Sequence, residues 1–385
     1  MKSLMQTLTR TVLAAAMGAG LAMTAFAADL KVGLSVSLSG PNSSLGVPYA
    51  KGMQAALAYK PEVNGRKIQL IVLDDGSDPT TAGRNARKLV EEDKVDVLMG
   101  TSGVPAAIAM AQVGRDAKVP MIGLTPIQLD PAENAWVFTV AQPTQLMIDA
   151  VVQRMKKDGV KTVGYIGFSD AWGDLVYNAL MKSAPAAGIK VLGNERYARS
   201  DQSVTGQILK LLAMKPDAVM TGGAGTPGAL PFLALNERGF KGPVYGQHGL
   251  INPDFVRVVG AAGQGALMPT GPVIVAEQLP AEYPTKKIAM DFRAIFQKVN
   301  NAPTSDAFSA YSFDGWLVFT DAAARAKGEP GTPEFRQSLR DAIASTKEVV
   351  GTHGVYNFKP GDLYGVDERA RVIVKLENGQ WKLAP

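Results

Sequence analysis

From residue 28 onward the apolar positions of this chain fall into two alternating patterns. Short, nearly continuous apolar runs read as buried strands. Segments with an apolar residue at every third or fourth position read as helices packed on one face. Leu30–Ser37 ("LKVGLSVS") is a strand, followed by the loop "LSGPNSSLG" and a helix over Tyr49–Tyr59. Lys67–Leu73 is the next strand. Asp78 and Pro79 then read as a helix N-cap with proline at the first helical position, and the helix runs to Glu92. Strand Val95–Met99, helix Ala106–Ala117 and strand Val119–Leu124 complete a first series.

A second series begins near Pro143. It contains a helix to Lys157, the strand "KTVGYIGF", a helix from Asp174 and a strand over Ile189–Tyr197. Helix Val204–Met214, strand "DAVMTG", helix Leu230–Arg238 and strand Pro243–Gly246 follow. Strands alternating with helices predict an α/β fold of parallel sheets covered on both faces. Two such series predict two doubly wound lobes, with junctions near Ala141–Thr144 and Met268–Pro272. Tyr283–Thr346 is helix-rich, and the strand-rich end crosses between lobes a third time. The expected division is 28–142 plus 272–353 for the first lobe and 143–271 plus 354–385 for the second. Open α/β sheets bind ligands at the carboxyl ends of their strands. The loops Ser39–Gly46, Gly100–Pro105, Gly123–Leu129, Ser169–Gly173, Gly222–Gly228 and Gly246–Asn252 would therefore face one cleft.

Residues 1–27 form a separate unit. Lys2 and Arg10 precede the uncharged apolar run Thr11–Thr24, and Ala25-Phe26-Ala27 is an A-x-A cleavage site. That is the pattern of a secretory signal peptide, and the run is too short to favour a membrane span. Its removal would take the formal charge from +5 (40 basic, 35 acidic) to +3 (38 minus 35), too weak and scattered an excess to point to nucleic acid. The chain has no cysteine, so neither a disulfide nor a lipid-anchored cysteine is possible. An exported protein without an anchor is best retained in a Gram-negative periplasm.

Few motifs carry chemistry. Gly223–Gly228 matches G-x-G-x-x-G, but Pro227 removes an amide that phosphate cradling needs, and no acidic residue ends the next strand; a tight turn is the plainer reading. There is no G-x-S-x-G elbow. Two histidines without cysteine give no zinc pattern. The acidic cluster Asp74, Asp75 and Asp78 lacks EF-hand spacing and reads as helix capping and a solvated loop. What remains are loops rich in Gly, Ser and Thr with scattered aromatics, as a small-molecule cleft requires. No cofactor, metal or catalytic residue is expected. An exported hydrolase using Ser102 or Ser169 with His248 remains as an alternative of another class.

The stretches "KVGLSVSLSGPNSSLG…YAKGMQAAL", "LIVLDDGSDPTTAGRNARKLVEEDKVDVLMG", "AKVPMIGLTP", "GFSDAWGDL" and "GVYNFKPGD" resemble the periplasmic leucine/isoleucine/valine-binding proteins of ABC importers. The resemblance spans the mature chain. It implies the type I periplasmic binding fold: two lobes joined by three crossovers, closing over a ligand that is handed to an ABC permease at the inner membrane. It also implies a monomer.

Carried over position by position, the resemblance places the ligand-binding set at Leu45, Ser102, Gly103, Val104, Thr125, Ile127, Trp172, Ala224, His248 and Phe308. The family's serine for the ligand carboxylate falls at Val104, just after Ser102 and Gly103. The glutamate that pairs with an α-ammonium falls at His248, and a tyrosine falls at Ala224. The two half-cystines fall at Ser77 and Gly103 and are lost together. A buried ammonium needs an acceptor, and histidine cannot supply a negative charge. The expected ligand is therefore a small organic carboxylate, favoured aromatic or apolar, with a branched-chain or other aliphatic amino acid as the alternative. His248 also has a bland reading, as a structural loop residue. Trp172 and Phe308 could equally be lobe core, and Ser102 and Thr125 could be helix caps. Tyr311 reads as core of its helix, and His353 as hinge or surface.

Overall fold

The computed structural model describes residues 28–304, 306–359 and 361–384, so the expected signal peptide lies outside the described residues. The first sheet contains β1 (Leu30–Val36), β2 (Glu62–Val63), β3 (Arg66–Asp74), β4 (Val97–Gly100), β5 (Met121–Gly123) and β6 (Val137–Thr139), in the order β2-β3-β1-β4-β5-β6. All pairings are parallel except the β2–β3 hairpin. Its centre, β1 and β4, is buried on both faces, which is why these strands read as continuous apolar runs.

The second sheet is built from β7 (Thr162–Phe168), β8 (Lys190–Tyr197), β9 (Ala218–Gly222), β10 (Val244–Tyr245) and β11 (Leu267–Thr270), all mutually parallel. β12 (Val349–Val350) and β13 (Val355–Tyr356) form a separate small hairpin. The tail strands β14 (Val372–Glu377) and β15 (Gln380–Leu383) then join the second sheet antiparallel at β11, giving the order β15-β14-β11-β10-β9-β7-β8. Their hairpin turns on Asn378-Gly379, both at positive φ, the dipeptide that a two-residue turn of this hand prefers. The sheets are thus mixed α/β and dominated by parallel pairing, as the alternation of elements predicts.

Eleven α-helices run through the described residues: α1 (Ser43–Tyr59), α2 (Pro79–Glu91), α3 (Val104–Ala117), α4 (Thr144–Lys157), α5 (Ala171–Ser183), α6 (Thr205–Ala213), α7 (Leu230–Glu237), α8 (Pro253–Val259), α9 (Lys286–Asn300), α10 (Phe308–Arg325) and α11 (Pro333–Ala344). α10 is buried along most of its length and lies against α1. The approach is close enough that a Cβ at Gly52 would overlap the Ser309 carbonyl.

Several boundaries differ from the sequence reading, for physical reasons. α1 starts at Ser43 instead of Tyr49, because the helix accommodates Pro48 in its second turn. Leu45 and Gly46 therefore sit on a helix, and a Cβ at Gly46 would overlap the Ser37 carbonyl. α5 starts at Ala171, since Asp170 caps it by accepting the amides of Trp172 and Gly173. β6 and α8 were not expected; β6 is only three residues long, and α8 begins at the Asn252 cap with Pro253 next. Asp78 does cap α2, but Asp75 is no part of a solvated loop: it is fully buried and accepts hydroxyl hydrogens from Ser37 and Thr101.

The chain between β12 and β14 stays beside the first sheet before it reaches the second. The Tyr356 hydroxyl donates to the Val140 carbonyl at 2.9 Å, and Tyr364 bridges to Thr139 at the end of β6.

Candidate functional site

The carboxyl ends of both sheets converge on a cavity of about 360 Å³ of space between atoms, open solvent at its mouth included. The first sheet contributes the turn after β4 (Ser102, Gly103 and Val104), the turn after β5 (Leu124, Thr125 and Pro126) and Leu45 and Tyr49 from α1. Phe308 and Tyr311 enter from the first turn of α10. The second sheet contributes Trp172 from α5, Arg199 after β8, Ala224 after β9, and His248 and Gly249 after β10. Every residue expected at the site lines this cavity except Ile127. That side chain is buried elsewhere, beside Gln128, Thr144 and Tyr364, with its carbonyl holding the Tyr364 hydroxyl at 2.5 Å.

The polar end lies at the start of α3. Ser102 Oγ accepts the Ser37 amide at 3.0 Å, which leaves its own hydrogen to donate. Gly103 is the N-cap residue in extended conformation, and the Val104 and Ala106 amides at the start of α3 have no intrahelical acceptor, while Pro105 between them has no amide hydrogen. They present the positive end of a helix dipole to the cavity.

The opposite wall is apolar and aromatic. Tyr49 and Phe308 meet edge-on with centroids 5.5 Å apart, and the Tyr49 hydroxyl donates to the Leu124 carbonyl at 2.7 Å. Tyr311 stacks on His353 at 3.9 Å and donates its hydroxyl to Gln142. Tyr311 is therefore both core of its helix and cavity wall, which the sequence reading missed. His353 is not at the surface: it is fully buried, its Nε2 2.9 Å from the Ala307 carbonyl and its Nδ1 3.3 Å from Gln142.

His248 is 2% exposed, and neither ring nitrogen has a hydrogen-bond partner among the described residues. Burial pushes its pKa down to about 3, so the ring is neutral at physiological pH, with one nitrogen to donate and one to accept. Gln247 holds the turn beneath it by accepting the Gly249 amide and donating to the Gly223 carbonyl. A buried imidazole without partners costs on the order of 1–3 kcal/mol. That cost is removed when something polar enters the cavity. No serine pairs with His248, and Ser169 is exposed and away from the cavity wall, so a Ser–His couple is not assembled.

Arg199 is the one charged side chain on the wall among the described residues. Its Nε meets Asp170 at 2.6 Å, a second nitrogen donates to Asn42 Oδ1 at 2.8 Å, and its guanidinium lies 4.1 Å from the centre of the Phe168 ring. Phe168 and Asp170 belong to the second half of the site, Asn42 to the first. The halves also touch where the Thr226 amide donates to Ser44 Oγ at 3.1 Å and the Ala307 amide to the Ile251 carbonyl at 3.1 Å. The two sides are closed on each other. Sequence reading missed Arg199 because the residues that turn it inward, Phe168, Asp170 and Asn42, are distant in the chain.

G-x-G-x-x-G at Gly223–Gly228 forms a tight turn, with Gly225 at φ +58° and a Cβ at Gly228 blocked by Leu250. No group of three or more His, Asp or Glu among the described residues is placed to hold a metal ion. No helix of the described residues is long and apolar enough to cross a membrane.

Comparison with known proteins agrees with this architecture. The "Leu/Ile/Val-binding protein homolog 3" of Brucella melitensis is 26% identical over 333 residues, 84% of this chain and 86% of that one. An extracellular ligand-binding receptor from Rhodopseudomonas palustris, of known structure, is 40% identical, with a TM-score of 0.90 over 93% of this chain and 100% of that one. A solute-binding protein of an ABC transporter from R. palustris, solved in complex with benzoate, shares the fold at 22% identity, with a TM-score of 0.78 over 92% of this chain and 95% of that one. With residues 29–361 matching the periplasmic binding protein family, the chain belongs to that family, whose members are solute-binding receptors and not enzymes.

Proposed function

We propose that this receptor captures a small organic carboxylate without an ammonium group, favoured aromatic or apolar, and presents it to an ABC permease at the inner membrane. The observation that carries the reading is the composition of the wall. It has a helix N-terminus and a hydroxyl at one end, aromatic and aliphatic faces, a neutral imidazole with free nitrogens, and no carboxylate among its lining residues. An α-ammonium would be buried there without an anionic partner, at a cost of several kcal/mol. The R. palustris protein that holds benzoate supports the idea that this fold accommodates a flat acid.

The reading includes export by cleavage of residues 1–27, residence in the periplasm and action as a monomer. It includes a two-lobe division at about residues 142 and 272. We place the third crossover after Tyr364 instead of at 353/354, because the stretch 355–364 contacts the β6 side of the first sheet. Ligand that touches both lobes only when they are closed shifts the population toward the closed form. Micromolar affinity corresponds to about −8 kcal/mol.

A thermal-shift panel of benzoate, 4-methylpentanoate, leucine and valine tests the proposal. Stabilisation by the acids and not by the amino acids is expected. Stabilisation by leucine or valine alone would overturn it in favour of amino-acid binding.

A further inference from the structure

The first lobe brings Ser102 and the start of α3 to the carboxylate end of the cavity. The other lobe brings a cation to the same end. Asn42 is the link that locates it. Its side-chain nitrogen lies 3.0 Å from where a Cβ on Gly103 would stand, so it borders the α3 N-terminus. Its side-chain oxygen accepts from Arg199 at 2.8 Å. One amide therefore spans the distance between the guanidinium and the first turn of α3, and both border the same cavity.

From these contacts we infer that Arg199 is the second lobe's contact to the ligand's carboxylate, so that this carboxylate is held between α3 of one lobe and a guanidinium of the other. The inference rests on the carboxylate reading of the site.

Three features make Arg199 suited to the task. It is held on its own lobe by Asp170 and by the face of Phe168, so the fork is oriented before any ligand arrives. Two of its three nitrogens are occupied, by Asp170 and Asn42, and the third has no hydrogen-bond partner among the described residues. Among the described residues it is also the only charge on a wall otherwise made of neutral groups, so it sets which charge the ligand carries. The Asp170 carboxylate prevents an uncompensated cation in the empty site, and its cap on α5 fixes Trp172 at the same time. A carboxylate placed there would tie the two lobes through charge-assisted hydrogen bonds, which are shorter and stronger than neutral ones.

The test compares acids with their amides by calorimetric titration: benzoate with benzamide, and 4-methylpentanoate with 4-methylpentanamide. The native chain should prefer the acid by about a hundredfold. Arg199→Met should lower acid affinity about tenfold or more and leave amide affinity unchanged. Asn42→Ala keeps the cation and removes its tether. It should weaken acid binding severalfold, again sparing the amide, and it serves if Arg199→Met does not fold. Equal losses for acid and amide in these variants, or native acid affinity in Arg199→Met, would overturn the assignment and leave Arg199 as a lobe-to-lobe contact only. A native chain that binds neither acid would instead sink the carboxylate reading of the site itself.

Discussion

The rings of Trp172 and His248 meet edge-on, with centroids 5.4 Å apart and planes at 88°. The indole nitrogen is turned away to the Gly223 carbonyl at 3.4 Å, so the imidazole gains a wall and no hydrogen bond. Both of its nitrogens remain for whatever enters the cavity. His248→Ala should therefore weaken ligand binding at least about tenfold while the folded protein persists, since no internal hydrogen bond is lost. Titration calorimetry alongside a thermal melt checks both halves. Unchanged affinity would make His248 a structural residue of its loop.

The same two nitrogens give a pH signature. Histidine in an unfolded chain takes up its proton near pH 6.5. Burial lowers this to about 3 for both His248 and His353. Between those values the unfolded state holds protons that the folded state lacks, so stability is full above pH 6.5 and falls as pH falls. Asp314 opposes this. Burial raises its pKa to about 6, so from there down to about 4 the folded state holds the extra proton. Burial raises Asp306 and Asp96 in the same direction as Asp314, so the histidine contribution is read as a difference between variants: each buried neutral histidine makes stability fall faster as pH falls through this range. His248→Gln should flatten that limb and leave stability at neutral pH nearly unchanged. Urea melts at half-unit intervals read the slope, and a slope equal to the native one would refute the assignment.

How far the sequence revealed the site depends on how local each determinant is. Ser102, Gly103 and Val104 were legible because a strand end, a small-residue turn and a helix start are adjacent in the chain. Trp172 and His248 were placed by resemblance, and the strand-end rule pointed to the same loops. Arg199 was not legible, since nothing near it in sequence shows that Asp170, Phe168 and Asn42 would turn it inward. Tyr311 reads as helix core because a buried aromatic at helical spacing has that appearance whether or not its face borders a cavity. Ile127 lies off the cavity wall, beside Gln128, Thr144 and Tyr364, and nothing local in the sequence shows where the loop after β5 leaves the cavity. The fold was more legible than the site. Buried parallel strands write themselves as apolar runs; short elements such as β6 and α8 escaped, as did the first turns of α1, which precede and include its proline.

The close packing of α1 on α10 is a stability determinant separate from binding. Gly52 faces the Ser309 carbonyl at a distance that admits no Cβ. Gly52→Ala gains helix propensity worth about 1 kcal/mol. Overpacking opposes it by about 1–3 kcal/mol or more, and backbone cannot yield as a side chain can. A lowered melting temperature is expected, whereas Ala at the exposed Gly239, which has nothing within contact distance but sits at φ +70°, should cost less. A stabilised Gly52→Ala protein would show that the helices can separate.

Ala224 presents only a methyl group to the cavity wall. It lines the wall beside Gly249, whose own Cβ would stand 3.0 Å from that of Ala224, so the turn after β9 packs directly on the turn after β10. A tyrosine at this position, as the branched-chain binders carry, would project into the space between Trp172 and His248 on one side and Leu45 on the other. Ala224→Tyr should reduce the room for a flat acid and weaken benzoate at least about tenfold, since a clash there competes with closure of the two sides. An aliphatic acid such as 4-methylpentanoate, which is narrower than a ring, should lose less. The ratio of the two affinities before and after the substitution is the measurement. A ratio that does not move would mean that the ligand's apolar end lies elsewhere, against Phe308 and Tyr49, and that Ala224 does not set the ligand's shape.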